Sequence, residues 1–256
     1  MKIQAYKIAE AIEKFAPLAT QAEWDNSGFT IGNPAKYVSK ALIALNCSLA
    51  VVQEAADKGC DIIVTHHPLI VHKPCLSILE GEPRSDSIML AIRRGITVYS
   101  SHTPLDKALG GLNDIMADRL LLEKCAVLSK DGFGRVGNLA KPITAGKFIE
   151  NVKKAFGAAN VRTSAPVVSK ISRVAVSSGG GQGSIADALA AGAQVLVTGD
   201  VTHHNFYSPK DFMVIDVGHH YSELPAINLL KSIIKKNFPK FAVLLSEADT
   251  SPIFYF

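Results

Sequence analysis

The eight histidines of this chain fall into four groups: His66–His67 with His72 close behind, His102, His203–His204 and His219–His220. Two of the groups are followed by an acid at a spacing of four, His102 by Asp106 and His219 by Glu223, and Asp200 precedes the third group. Imidazole with carboxylate is a donor set for Zn²⁺, Fe²⁺, Mn²⁺ or Ni²⁺, with no preference for Cu(I) or an iron–sulfur cluster. A spacing of four places His219 and Glu223 on one face if a helix begins there, while Pro104 makes the His102–Asp106 stretch a loop or a first helical turn. His66 and His67 would face opposite ways inside a strand, but just past its end they can address two different ions. Five or six protein ligands exceed the three that a catalytic zinc normally uses, and a two-metal centre accounts for the surplus.

Each pair also has a plainer reading, as a solvated loop or a surface helix pair worth roughly 0.3 kcal/mol. Their recurrence at equivalent points of a repeat favours metal binding. His72 and His220 read as groups that orient neighbours or face solvent. His203–His204 suits a substrate contact, with His204 the candidate, or equally a helix cap. The run Ser177–Ser178–Gly179–Gly180–Gly181–Gln182–Gly183–Ser184 follows a strand and precedes a helix. Its amides, Gly180 among them, could cradle an anion or simply make a tight turn. It matches neither the P-loop nor the dinucleotide fingerprint. No G-x-S-x-G elbow occurs and no cysteine adjoins a histidine, so covalent acyl transfer has little support.

The elements that must position these groups repeat along the chain. Gly59–Cys60–Asp61–Ile62–Ile63–Val64–Thr65 aligns without a gap on Gly192–Ala193–Gln194–Val195–Leu196–Val197–Thr198. Each copy is followed by a second apolar run and then by His-x-x-x-acid. Short β-branched runs without alternation suit strands buried on both faces, and the β-α-β-α-β order argues for mostly parallel sheets covered by helices. In the first half the spacing predicts a helix over 3–15, strands at 29–32 and 41–45, a helix capped by Ser48, and a helix over 87–94. The second half is expected to carry strands at 174–176, 195–197 and 214–215 and helices at 184–191 and 224–237. The first copy is longer by a helix-sized insertion around residues 71–86. Residues 129–170 read as Gly-, Pro- and Lys-rich turns with one helix at 145–156. The expected division is therefore two similar α/β lobes, 1–128 and 129–256, related by duplication, with the C-terminal part packing back towards the first.

Composition sets outer bounds. With 256 residues, 48% hydrophobic and 20% charged, the chain can bury a full core. A net charge of +4, without a basic stripe or interleaved aromatics, argues against a nucleic-acid surface. No apolar run approaches about 20 residues and the N-terminus lacks a signal-like core, so a cytoplasmic protein without a membrane partner is expected. The four cysteines show no C-x-x-C spacing, and Cys47 and Cys60, in or beside apolar runs, read as reduced, buried thiols.

Five blocks together resemble the signature of one family: Trp24–Asp25–Asn26–Ser27–Gly28, Thr65–His66–His67–Pro68, Ser101–His102–Thr103–Pro104–Leu105–Asp106, Thr198–Gly199–Asp200 and Gly218–His219–His220–Tyr221–Ser222–Glu223. They are similar to those of the Ngg-interacting-factor-three-like proteins, also labelled GTP cyclohydrolase I type 2 homologues. The resemblance implies two similar α/β lobes with a dinuclear metal site between them, in a ring-like homohexamer. It implies His66, His67, Asp106, His219 and Glu223 as ligands of two divalent ions, Glu223 and Asp106 being placed to serve both, with His102 beside the site. Pro104 departs from the Asn that many members carry there. The activity implied is metal-dependent hydrolysis of a nucleotide-like small molecule, such as opening of the guanine ring of GTP with release of formate, with Glu223 and His102 in catalytic roles. The alternative is a metal-binding or regulatory protein without turnover.

Overall fold

Chain order and capping explain where the elements begin and end. In the computed structural model, which describes residues 1–71, 77–165, 169–207, 209 and 211–254, the first elements are β1 (Ile3–Gln4), α1 (Ala5–Glu13), β2 (Gly28–Ile31), β3 (Tyr37–Val38), β4 (Lys40–Ala44), α2 (Leu49–Asp57), β5 (Ile62–Thr65), α3 (Pro83–Arg93), β6 (Thr97–Ser100) and α4 (Thr103–Lys107). Then come α5 (Leu112–Arg119), β7 (Glu123–Val127), β8 (Arg135–Thr144), α6 (Ala145–Phe156), β9 (Arg162–Thr163), β10 (Lys170–Val176), α7 (Ile185–Ala190), β11 (Val195–Thr198) and β12 (Met213–Asp216). The chain closes with α8 (His219–Glu223), α9 (Pro225–Asn237) and β13 (Ala242–Leu245). His72 and residues 73–76, in the first part of the expected insertion, lie outside the described residues. The chain divides into two compact units, one of Met1–Ala108 with Ala226–Phe254 and one of Leu109–Pro225. Among the described residues no helix is long and apolar enough to cross a membrane.

In the first unit the strand order is β13-β4-β5-β6-β2, with every pair parallel except the β6–β2 edge. Ile62, Ile63 and Val64 are wholly buried, as a strand covered on both faces requires. Leu42, Ala44, Ile63 and Val98 share one face and pack with Val51, Val52 and Ala55 of α2 and Ile88 and Ala91 of α3. Burial of each such valine or isoleucine stabilises by about 1.5–3 kcal/mol. The Ser48 hydroxyl caps α2 by accepting from Val51 N, and Gly59 at φ +64° ends the turn that follows it. Helix α3 starts one turn before the expected Ser87, because Glu82 caps it by accepting from Ser85 N at 2.7 Å and Pro83 occupies its first turn.

Two further departures matter. The helix expected from Ile3 begins at Ala5, since Ile3 and Gln4 pair with Val38 and Tyr37. Strand β13 was not expected, yet it pairs in parallel along β4. The segment beyond β13 is held by Glu54, whose carboxylate accepts from Ser246 Oγ, from Glu247 N at 3.0 Å and from Ala248 N at 3.1 Å.

In the second unit the order is β7-β8-β10-β11-β12-β9. Strands β10, β11 and β12 run parallel, and β8 and β9 join them antiparallel. The turns expected over 129–170 are corrected by β8, a ten-residue strand. Lys141 and Pro142 hid it, and a register irregularity opposite Ile171 and Arg173 accommodates them. Helix α6 lies where expected, capped by Thr144 and stopped by Gly157 at φ +67°. The order β4-β5-β6-β2 in one unit and β10-β11-β12-β9 in the other has the same senses: parallel, parallel, antiparallel. Thr65 pairs with Ser100 as Thr198 pairs with Asp216. The fold is thus α/β with two similar units, each a parallel or mixed sheet covered by helices.

Candidate metal centre

His66 and His67 follow directly from β5, where the last strand amides still bond: His67 N donates to Leu45 O at 2.9 Å and Ser101 N to Thr65 O at 2.9 Å. The exit is stiffened by Thr65 Oγ1, which donates to His67 O at 2.7 Å and meets Ser100 Oγ at 2.8 Å. His66, His67 and His102 each offer a ligand atom, and these atoms all lie within 4.8 Å of one another. The three ring centroids are 5.0, 5.2 and 5.4 Å apart.

Each ring is oriented from behind. His66 Nδ1 meets Ser101 O at 2.9 Å, His67 Nδ1 meets Asn46 Oδ1 at 2.8 Å, and His102 Nδ1 meets Asp25 Oδ1 at 2.9 Å. A carbonyl or carboxylate oxygen can only accept, so Nδ1 carries the proton and the lone pair lies on Nε2. That is how metal-ligating imidazoles are commonly held. His66 Nε2 stands 3.8 Å from Asp106 Oδ1, close to the roughly 3–3.5 Å that separates two ligand atoms when each is about 2.1 Å from one ion. Helix α4, entered through Pro104, buries Asp106 to 5% exposure. Asp25 also accepts from Asn26 N, Ser27 Oγ, Thr103 N and Thr103 Oγ1. Burial alone would raise its pKa, but the bonds from His102, Thr103 and Ser27 outweigh it and hold the carboxyl well below the usual range.

In the second unit the candidate pair comes from α8. Gly218, at φ +85°, turns the chain into this helix, and the spacing of four brings His219 Nε2 to 3.0 Å from Glu223 Oε2. His219 Nδ1 meets Asp200 Oδ2 at 2.7 Å. Burial lowers the His219 pKa, but the Glu223 and Asp200 carboxylates prevail and push it up to about 9. A cation binding here must displace that proton. Two glycines make the close packing possible. A Cβ on Gly179, itself at φ +59°, would overlap Glu223 Oε1, and one on Gly199 would stand 2.7 Å from His219 N and 2.9 Å from Gly179 O. Glu223 is 3% exposed.

The other histidines fall elsewhere. His203 and His204 open a short 3-10 turn, His203–Phe206, with exposed side chains and no side-chain cap bond. His204 stacks on Tyr207 with centroids 6.3 Å apart. Gln182 ties this turn to the glycine-rich run by accepting from Thr202 N and Asn205 Nδ2. Within that run Ser178 N donates to Asn113 Oδ1 and Gly179 N to Ser222 Oγ, both at 2.9 Å, so these amides serve the turn. A Cβ on Gly180 would make only an ordinary contact, 3.9 Å from Asp200 Cβ. His220 is half-buried beside Tyr221. The supporting residues Asn46 and Asp249 were not singled out from the sequence: neither stands in a motif, and Asp249 lies some 200 positions from its partners. Beside His67 a cleft of about 370 Å³, mostly apolar, is lined by Asn46, Ser48, Leu69, Val71 and Arg84 among others, a volume in the range of small-molecule sites.

A family model described as Duf34/NIF3 (NGG1p interacting factor 3) matches residues 3–252. A Clostridium perfringens protein named GTP cyclohydrolase 1 type 2 homolog is 33% identical over 237 residues, covering 90% of each chain. Among solved structures, reduced HcgD from Methanocaldococcus jannaschii is 31% identical at a TM-score of 0.84, covering 96% of this chain and 99% of its own. A Bacillus cereus protein related to NIF3 reaches a TM-score of 0.91 over 99% of both chains at 22% identity, a likeness of fold alone. With its signature blocks in place and the family match spanning nearly its whole length, the chain belongs to the Duf34/NIF3 (NGG1p interacting factor 3) family.

Proposed function

We propose that this protein is a metal-dependent hydrolase of a nucleotide-like small molecule, with His66, His67, Asp106, His219 and Glu223 together holding two divalent ions of Zn, Fe, Mn or Ni. The observation that carries this reading is that His66 and His67 both have the Nδ1 proton engaged by an oxygen acceptor, which makes Nε2 the ligating atom of each. Two such ions, when bound, would supply Lewis acidity and a water-derived nucleophile at neutral pH. His102, with Asp25 ready to stabilise its imidazolium, takes up and returns a proton at Nε2. Glu223 holds His219 in place, and its carboxylate is the second acid–base group. The cleft beside His67 has room for a purine base, and His204 and Gly180 are assigned to substrate contact.

Relatives named GTP cyclohydrolase 1 type 2 homolog support GTP as the first substrate to try, with ring opening at C8 and formate as product. A cytoplasmic homohexamer belongs to the same proposal, its oligomeric state tested by sedimentation and its location by cell fractionation. The deciding experiment measures metal per chain, GTP turnover and formate release for wild type and Glu223→Ala. Two metals per chain and turnover lost in Glu223→Ala are expected. Metal bound without turnover of any nucleotide would favour a regulatory metal-binding protein, and less than one metal per chain in a metal-replete preparation would sink the dinuclear centre.

A further inference from the structure

Asp249 lies just beyond β13, in the segment that Glu54 holds. Its Oδ2 accepts from the backbone N–H of Leu45 and, at 3.3 Å, of Asn46, while its Oδ1 accepts from Asn46 Nδ2 at 3.1 Å. The other end of the same amide, Asn46 Oδ1, meets His67 Nδ1 at 2.8 Å. His66, His102 and His219 each meet a carbonyl or carboxylate, which cannot be reversed. His67 meets a primary amide, which can present either an acceptor or a donor.

We propose that Asp249 is a positioning residue that sets the tautomer of His67 through Asn46. A carboxylate only accepts, so it draws the Asn46 NH₂ towards itself and turns the amide oxygen to His67. That oxygen can only accept in turn, so the His67 proton resides on Nδ1 and the lone pair on Nε2. The functional meaning rests on the metal reading above; the tautomer itself does not.

The test compares Asp249→Asn with Asp249→Ala. In Asp249→Asn the new carbonyl takes the two backbone N–H groups and the new NH₂ faces Asn46. Asn46 then reverses, its NH₂ donates to His67 Nδ1, and the imidazole proton moves to Nε2 with no net gain or loss of protons. Alanine leaves Asn46 able to keep either orientation. Long-range ¹⁵N–¹H spectra of metal-free protein, with His67 assigned by its loss in His67→Gln, should show the proton on Nδ1 in wild type and on Nε2 in Asp249→Asn. Chelator competition should show metal affinity falling 10–100-fold in Asp249→Asn and by less in Asp249→Ala. A purely structural role predicts the reverse order, because asparagine preserves the backbone bonds that alanine loses. The exchange Asn46→Asp with Asp249→Asn restores an acceptor facing His67 and should return the proton to Nδ1.

A wild-type proton on Nε2, an unchanged tautomer in Asp249→Asn, or a greater metal loss in Asp249→Ala would each overturn the proposal. A wild-type protein that binds no metal while showing the expected tautomers would instead remove the metal reading and leave Asp249's role standing.

Discussion

The two units end the same central strand in different ways. After Thr65 the first unit places His66 and His67; after Thr198 the second places Gly199 and Asp200. Gly199 stands where His66 does, and the backbone of His219 presses against it so closely that even a methyl group has no room. The second unit therefore presents its imidazole one element later, from α8, and uses the strand end to support it through Asp200. The supports differ in charge as well. His66 leans on a neutral carbonyl, whereas His219 sits between two carboxylates that hold it protonated near neutral pH. One repeated frame thus yields a histidine set whose Nδ1 atoms are held by oxygen acceptors and a His–Glu pair whose imidazole is held protonated.

Erasing that asymmetry should cost most. Gly199→Ala sets a Cβ against backbone atoms that cannot yield, and a loss of about 3 kcal/mol is expected in urea unfolding, with metal loading reduced; an unchanged midpoint would show that α8 can move aside. Gly179→Ala should lose about 1–3 kcal/mol from its positive φ and crowding, and should displace Glu223, seen as weaker metal retention in dialysis. Asp200→Asn should lower the His219 pKa from about 9 in an NMR titration of metal-free protein, reducing the protons released when metal is added at pH 7.

The same shift has a signature in stability. Because the folded His219 pKa is raised, its contribution is complete below about pH 6.5, the unfolded value, and is lost as pH rises through about 9. The metal-free protein should therefore become less stable between those pH values, and Asp200→Asn should flatten the slope. The smallest effect lies in the first unit. Burial would raise the Glu54 pKa, but the bonds from Lys58, Ser246 and the 247–248 amides hold it at about 2. Its support of the C-terminal segment is present above about pH 4.3 and lost as pH falls towards 2. Glu54→Gln should remove that acid-side slope at a loss of less than about 2 kcal/mol.

Much of this was legible along the chain because it is local. Apolar runs such as Ile62–Val64 and Val195–Val197, the Ser48 and Thr144 caps and the glycine stops are decided within a few residues, and the strands and helices they predict are present. The histidine clusters mark the strand ends for the same reason. What escaped was nonlocal or disguised. Strand β8 contains a proline and a lysine that are tolerated only because an irregularity opposite them absorbs the break. Strand β13 gains its place only by pairing with β4, some 200 residues earlier.

The residue types themselves settled which chemistry is available: imidazoles and carboxylates at strand ends and at helical spacing, with no nucleophile elbow or phosphate loop beside them. Their protonation was not written there. Whether His67 offers Nε2 depends on Asn46 and Asp249, which nitrogen of His102 carries the proton depends on Asp25, and how far the charge that neighbouring Glu223 favours on His219 is reinforced depends on Asp200. Those partners stand from 19 to 203 positions apart in the chain, and a hydrogen bond acts over about 3 Å of space, so only the folded chain brings each pair into play.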